Sequence, residues 1–203
     1  PQVQKDIIEK LALKNHAVFK KSFVRDNLSF VVRREEAKYP KLLEIVQKLK
    51  GSGIVYVRNR NKTKDIAEYL MQHNIKADFY HAGLKTNERS IKQDNWLKNK
   101  TQVIVCTNAF GMGIDKSDVR FVIHMDVPES LEAYYQEAGR AGRDGKLSYA
   151  ALLYNQPDID KLQERIDQKF PPLETIKNVY NAVCNHLGIA VESGKMLPHN
   201  FEI

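Results

Sequence analysis

Gly53-Ile54-Val55-Tyr56-Val57 is a short apolar run in which polar and apolar positions do not alternate, and it decides the fold. A strand buried on one face alternates with period two; a run apolar at every position needs cover on both faces, as in a parallel sheet between helices. Val103-Ile104-Val105-Cys106 repeats the pattern, and Val103 to Thr107, Ala77 to His81 and Phe121 to Met125 all read as strands. Lys62 to His73, Asn87 to Lys98 and Pro128 to Gly139 read as the helices between them, and Tyr149 to Tyr154 as a last strand. Upstream, Asn27 to Arg34 alternates through Leu28, Phe30 and Val32. Tyr39 to Lys50 places Leu42, Leu43, Ile45, Val46 and Leu49 on a helical face that Gly51 stops. Strands alternating with helices predict an α/β domain, a parallel sheet flanked by helices in three layers.

Val3, Ile7, Ile8 and Leu11 place an amphipathic helix over 2–14, ahead of that domain. Asp158 to Lys169 and Leu173 to Leu187 predict a short helical appendage behind it, broken by Pro171-Pro172, and the tail from Gly188 is weakly patterned. The main boundary falls near residue 155. The chain opens on Pro1 rather than Met, so the expectation is a piece of a longer protein with further motifs outside it.

At 203 residues, 42% hydrophobic and 28% charged, the composition fits one sizeable core plus an appendage. No apolar run approaches the roughly 20 residues a membrane span needs. Two isolated cysteines, Cys106 in a buried run and Cys184 in a helix, point to a reducing, cytoplasmic compartment and cannot build a thiolate zinc site. The net charge of +7 is unevenly spread: residues 1–100 hold 22 Lys and Arg against 11 Asp and Glu, residues 101–203 hold 10 against 14. A basic half suits a polyanionic partner, although a solvated lysine-rich surface reads the same way.

The strongest chemical signal is Tyr134-Tyr135-Gln136-Glu137-Ala138-Gly139-Arg140-Ala141-Gly142-Arg143-Asp144-Gly145. Two arginines three apart, interleaved with glycines at a helix end, project adjacent guanidinium groups from compact backbone. Such groups suit a γ-phosphate, because the planar fork donates to two oxygens and keeps its charge. Arginines so placed are worth about 10³ to 10⁵ in rate in characterised nucleotide hydrolases. The chain has no complete phosphate loop: Gly194-Lys195 is followed by Met196 where Ser or Thr is required. It also lacks an Asp-Glu-x-His box for magnesium. Arg140 and Arg143 therefore read as half of a catalytic site.

Gln136-x-x-Gly139-Arg140-x-Gly142-Arg143 resembles motif VI of superfamily 2 helicases, in the form typical of the RecQ family of ATP-dependent DNA helicases. Thr107-Asn108-Ala109-Phe110-Gly111-Met112-Gly113-Ile114-Asp115-Lys116 is similar to motif V, and Val119 to His124 follows in that family's register. Ile54-Val55-Tyr56 through Arg60 and Lys62 resembles motif IV, and Tyr80-His81-Ala82-Gly83-Leu84 the segment called IVa. Residues 1–21 resemble the tail of a first motor domain and its linker, with Ser22-Phe23-x-Arg25-x-Asn27 opening the second.

The resemblance implies that 22–155 is a second RecA-like motor domain and that 156–203 is a helical appendage beginning a C-terminal region. It implies Arg140 and Arg143 as catalytic fingers, and Gln136, Gly113 and Asp115 as ATP contacts. Arg60, Lys62, His81, Gly83, Thr107 and Asn108 become DNA contacts. ATP and Mg²⁺ are expected to be shared with the first RecA-like domain, with DNA single strands and duplex junctions as partners, no zinc and no membrane. Many RecQ proteins carry a four-cysteine zinc subdomain after this point, whereas here only Cys184 follows motif VI, so a branch without zinc is expected.

Thr107 also stands at the end of a buried strand, where ligands of open parallel sheets bind. Asp115 has a lesser reading as a turn former, while a strand-end histidine such as His81 is by itself more often structural; Trp96 and Phe79 read as core. Two other functions compete. A DEAD-box-like RNA helicase half usually begins motif VI with His-Arg, where this chain has Gln136-Glu137. A non-catalytic binding or annealing module would have no use for both arginines.

Overall fold

The computed structural model describes residues 2–14, 16–19, 24–111 and 114–188. Gly113, Ser22, Phe23 and the tail beyond Gly188 lie outside the described residues. Six parallel strands form one sheet in the order β1-β6-β5-β2-β4-β3: β1 (Leu28–Arg34), β2 (Ser52–Tyr56), β3 (Ala77–Tyr80), β4 (Val103–Cys106), β5 (Val119–His124) and β6 (Ser148–Tyr154). Between them run α2 (Lys38–Lys48), α3 (Arg60–Gln72), α4 (Thr86–Leu97) and α5 (Leu131–Ala138), with α1 (Gln2–Lys10) before and α6 (Gln156–Lys169) and α7 (Leu173–His186) after.

Successive residues of β2 point to opposite layers. Val55 packs with Leu42 and Val46 of α2 and with Ile66 and Leu70 of α3. Ile54 and Tyr56 pack on the other face, with Trp96 of α4, Phe110 and Ala138 of α5. All of β2 and β4 is buried, which is why neither alternates. A side chain at Gly53 would place its Cβ 1.9 Å from the Phe121 ring, and the Gly53 carbonyl accepts the Trp96 indole N–H at 3.2 Å. The buried indole is thereby satisfied.

Local chemistry moves several element ends. The helix expected from Pro128 begins at Leu131, because the Ser130 hydroxyl accepts the Ala133 N–H at 3.1 Å and caps it. The first helix stops at Lys10, and Ala12 adopts φ +47°. The first helix of the appendage, expected from Asp158, begins at Gln156, with Asn155 and Asp158 exchanging side-chain-to-backbone bonds as a capping box. On β1, Leu28 is buried but Phe30 and Val32 are exposed. Their alternation is real, yet β1 is an edge strand, with the Tyr134 and Tyr135 rings beside Phe30. Trp96 is core; Phe79 is half-buried with the Lys92 ammonium 4.0 Å from its ring centre.

Candidate functional site

The expected site residues fall into two groups. The first surrounds α5 and the loop that ends it. Gly139 caps the helix, and Arg140 Nη1 donates to the Gly111 carbonyl at 2.6 Å. Gly111 has φ +135°, and a Cβ there would stand 2.3 Å from Arg140 Cζ. Only glycine lets the guanidinium lie flat against that backbone. Arg143 Nη1 donates to Asp115 Oδ1 at 2.7 Å and lies 3.4 Å from the Ile114 carbonyl. The arginines of the VI-like segment are thus seated on the V-like segment, with Asp115 mostly exposed beside Arg143.

Beside Arg140 a cleft of about 430 Å³ opens, lined by Tyr56, Asn108, His124, Gln136 and Glu137 among others. Three expected contacts, Asn108, Gln136 and Arg140, therefore share one hollow. Its floor is a buried polar chain: His124 Nε2 lies 2.9 Å from Glu137 Oε2, and the His124 ring stacks on Tyr56. The Tyr56 hydroxyl donates to the Phe110 carbonyl at 3.1 Å. Burial pushes the Tyr56 phenol far up, so the hydroxyl keeps the proton that it donates to Phe110. Lys116, also in the V-like segment, is buried and bonded to Asn99 Oδ1, the Leu97 carbonyl and Asp118, which makes it part of the scaffold.

The second group sits at the carboxyl edge of the sheet. His81 follows β3, and Arg60 opens α3 behind the Asn59 cap. They meet over Gly83: a Cβ on Gly83 would be 3.2 Å from His81 Nδ1 and 3.3 Å from Arg60 Nη1. Partial desolvation, then the Arg60 charge, hold the His81 imidazole below its usual range. Lys62 does not join them; its ammonium is 3.3 Å from Asp126 Oδ1, on the side facing α6. Thr107 directly follows β4 and is buried, its N–H bonded to the Tyr80 carbonyl at 3.3 Å.

Two residues that site reasoning passed over are Arg25 and Asn27, which bond the backbone of the Gly139–Gly142 turn from its far side. In the sequence they mark only the opening of a domain. Glu137 belongs to the motif, but the His124 partner that fixes it lies 13 positions away.

The fold and the motifs have counterparts. Residues 37–145 match the family model described as helicase conserved C-terminal domain. The chain is 40% identical over 210 residues to the RecQ-like DNA helicase blm-1 of Caenorhabditis elegans, covering 99% of this chain and 21% of that protein. It is 43% identical over 167 residues to the ATP-dependent DNA helicase RecQ of Haemophilus influenzae, covering 82% and 27%. The chain thus spans little more than a quarter of these relatives at most. Among solved structures, the E. coli DEAD-box protein SrmB superposes with a TM-score of 0.61 at 22% identity, over 72% of this chain and 88% of that one, a likeness of fold. The chain belongs to the helicase conserved C-terminal domain family, as a RecQ-like, RecA-like C-terminal motor domain of superfamily 2.

Proposed function

We propose that the full-length protein is an ATP-dependent DNA helicase moving 3′ to 5′, and that residues 22–155 are its second motor domain. The observation that carries this reading is the seating of Arg140 on Gly111 and of Arg143 on Asp115, with Arg140 lining an open cleft. A first RecA-like domain, whose tail and linker are residues 1–21, supplies the phosphate loop. Closure brings Arg140 and Arg143 onto the γ-phosphate, where they neutralise charge developing in transfer. Gln136, Gly113 and Asp115 contact the nucleotide. No cluster of His, Cys, Asp or Glu that could hold a metal occurs among the described residues, so Mg²⁺ ligands are assigned to the first domain.

Arg60, His81, Gly83, Thr107 and Asn108 contact the DNA strand, and Lys62 flanks it through a side chain that can exchange Asp126 for phosphate. Contacts to backbone phosphate grip without sequence choice, as translocation requires. Single strands and duplex junctions are the proposed substrates, and the two free, buried cysteines support a cytoplasmic setting.

The test is Arg143→Ala in the full-length protein, assayed for DNA-stimulated ATP hydrolysis and for nucleotide binding. Turnover is expected to fall by about 10³-fold or more while ATP still binds. Normal turnover overturns the finger assignment. Unwinding of matched DNA and RNA duplexes by the wild type checks the substrate, and a preference for RNA would sink the DNA reading.

A further inference from the structure

The turn that carries both fingers is gripped from behind by a residue far away in sequence. Arg25 lies just ahead of β1 and is half-buried. Its Nη1 donates to the Gly139 carbonyl at 3.0 Å, and its Nη2 to those of Ala141 at 2.9 Å and Gly142 at 2.5 Å. Asn27 adds Nδ2 bonds to the Gly142 carbonyl at 2.7 Å and the Lys146 carbonyl at 2.9 Å. Gly142 has φ +64°, and a Cβ on it would stand 2.6 Å from Asn27 Nδ2, so the turn can lie against this grip only as glycine.

Carbonyls at a helix end lack partners within the helix, and here the cap carbonyl of Gly139 and those of Ala141 and Gly142 in the turn beyond it converge on one planar group. Guanidinium has five donors in a rigid fork and matches such an array; an ammonium is a single point charge. The side chains of Arg140 and Arg143 leave this same turn to reach Gly111 and Asp115. One turn is therefore fixed from two sides. Its backbone is held by Arg25 and its charged tips by the V-like segment.

We infer that Arg25 is the positioning residue of the finger turn: it touches no nucleotide, and it sets where Arg140 and Arg143 stand when the cleft closes. The inference rests on the finger reading above. Displacing catalytic groups by about 1 Å costs on the order of 100-fold in rate. Arg25 thus acts on kcat rather than on ATP affinity.

The experiment compares Arg25→Ala, Arg25→Lys and Arg143→Ala in the full-length protein, with kcat expressed per nucleotide-binding site titrated. Arg25→Ala is expected to lower kcat by about 10- to 100-fold, with the ATP KM near wild type. Arg25→Lys, which keeps the charge and loses the fork, should also fall below wild type, and it serves should the alanine variant fail to fold. Hydrogen exchange in the peptide covering 139–146 should accelerate in both. If Arg143→Ala abolishes turnover while the Arg25 variants keep wild-type kcat per site, the positioning role is overturned and the finger reading stands. If Arg143→Ala turns over normally, the finger reading fails, and the Arg25 inference falls with it whatever the exchange rates show. A loss that tracks the fraction of folded protein, with kcat per site unchanged, also overturns the inference.

Discussion

Arg140 and Arg60 are both arginines at loop–helix junctions of one domain, yet they are held in opposite ways. Arg140 lies against a glycine that only a bare backbone permits, on a turn whose carbonyls Arg25 and Asn27 fix from behind. Arg60 meets His81 over Gly83, and among the described residues no hydrogen bond holds its guanidinium. The contrast fits the two tasks proposed for them. Stabilising charge in a transition state needs groups already in place, since reorganising them costs rate. Gripping a strand that must slide needs contacts that exchange.

Gly111→Ala is the sharpest way to break this comparison. Its new methyl overlaps the Arg140 guanidinium and sits at a φ that L residues rarely adopt. The backbone strain costs about 1–3 kcal/mol, which the buried sheet absorbs, but the arginine must leave its seat. ATP turnover in the full-length protein is expected to fall about 100-fold while single-strand affinity holds. Turnover at the wild-type rate would mean that Arg140 needs no fixed seat, and the two regions would differ only in appearance.

Arg60→Ala probes the other side. An exposed charge contact contributes at most about 1 kcal/mol, so single-strand affinity should weaken about fivefold. The slope of log affinity against log salt should become shallower by about 0.7, the share of one phosphate on a single strand. In ATPase assays the effect should appear in the DNA concentration needed for half-maximal stimulation. A loss of turnover as deep as that of Gly111→Ala, persisting at saturating DNA, would place Arg60 in the chemistry and erase the distinction.

The same contrast explains what was legible in the sequence. Strands β2 and β4 were plain because their runs Gly53 to Tyr56 and Val103 to Cys106 show no polar alternation, and the parallel sheet followed from helices falling between such runs. Arg140, Arg143, Gly111 and Asp115 were legible as motif members, since each motif is a local string. Their mutual seating was not, because it joins residues about 29 positions apart. Arg25 lies still further off: its bonds span 114 to 117 positions and leave no local pattern. The Phe30 and Val32 alternation marked the strand correctly but not its exposure, since whether a helix covers an edge strand is a property of the whole sheet. Lys62 looked equivalent to Arg60, two positions away on one helix, but that spacing turns side chains to different sides, and Lys62 meets Asp126.

His81 offers the smallest and most diagnostic effect, because its two pH dependences carry opposite signs. Partial desolvation and the Arg60 charge hold its pKa below the ordinary 6.5, so the imidazole is neutral at pH 7. The unfolded chain then binds a proton more readily than the folded one, and this group erodes stability as pH falls below 6.5. The proposed strand contact reverses the balance. A phosphate beside His81 favours the imidazolium, so binding takes up part of a proton and strengthens on acidification. Between pH 7.5 and pH 6, wild-type affinity for a single strand should gain roughly two- to threefold more than that of His81→Asn. Anisotropy titrations at constant ionic strength read this directly, and thermal melts of the same samples should show the wild type losing more stability than the variant. Because a purely structural histidine would move the melts and leave the binding curves parallel, the pair of measurements separates a strand contact from a scaffold residue at the looser of the two regions.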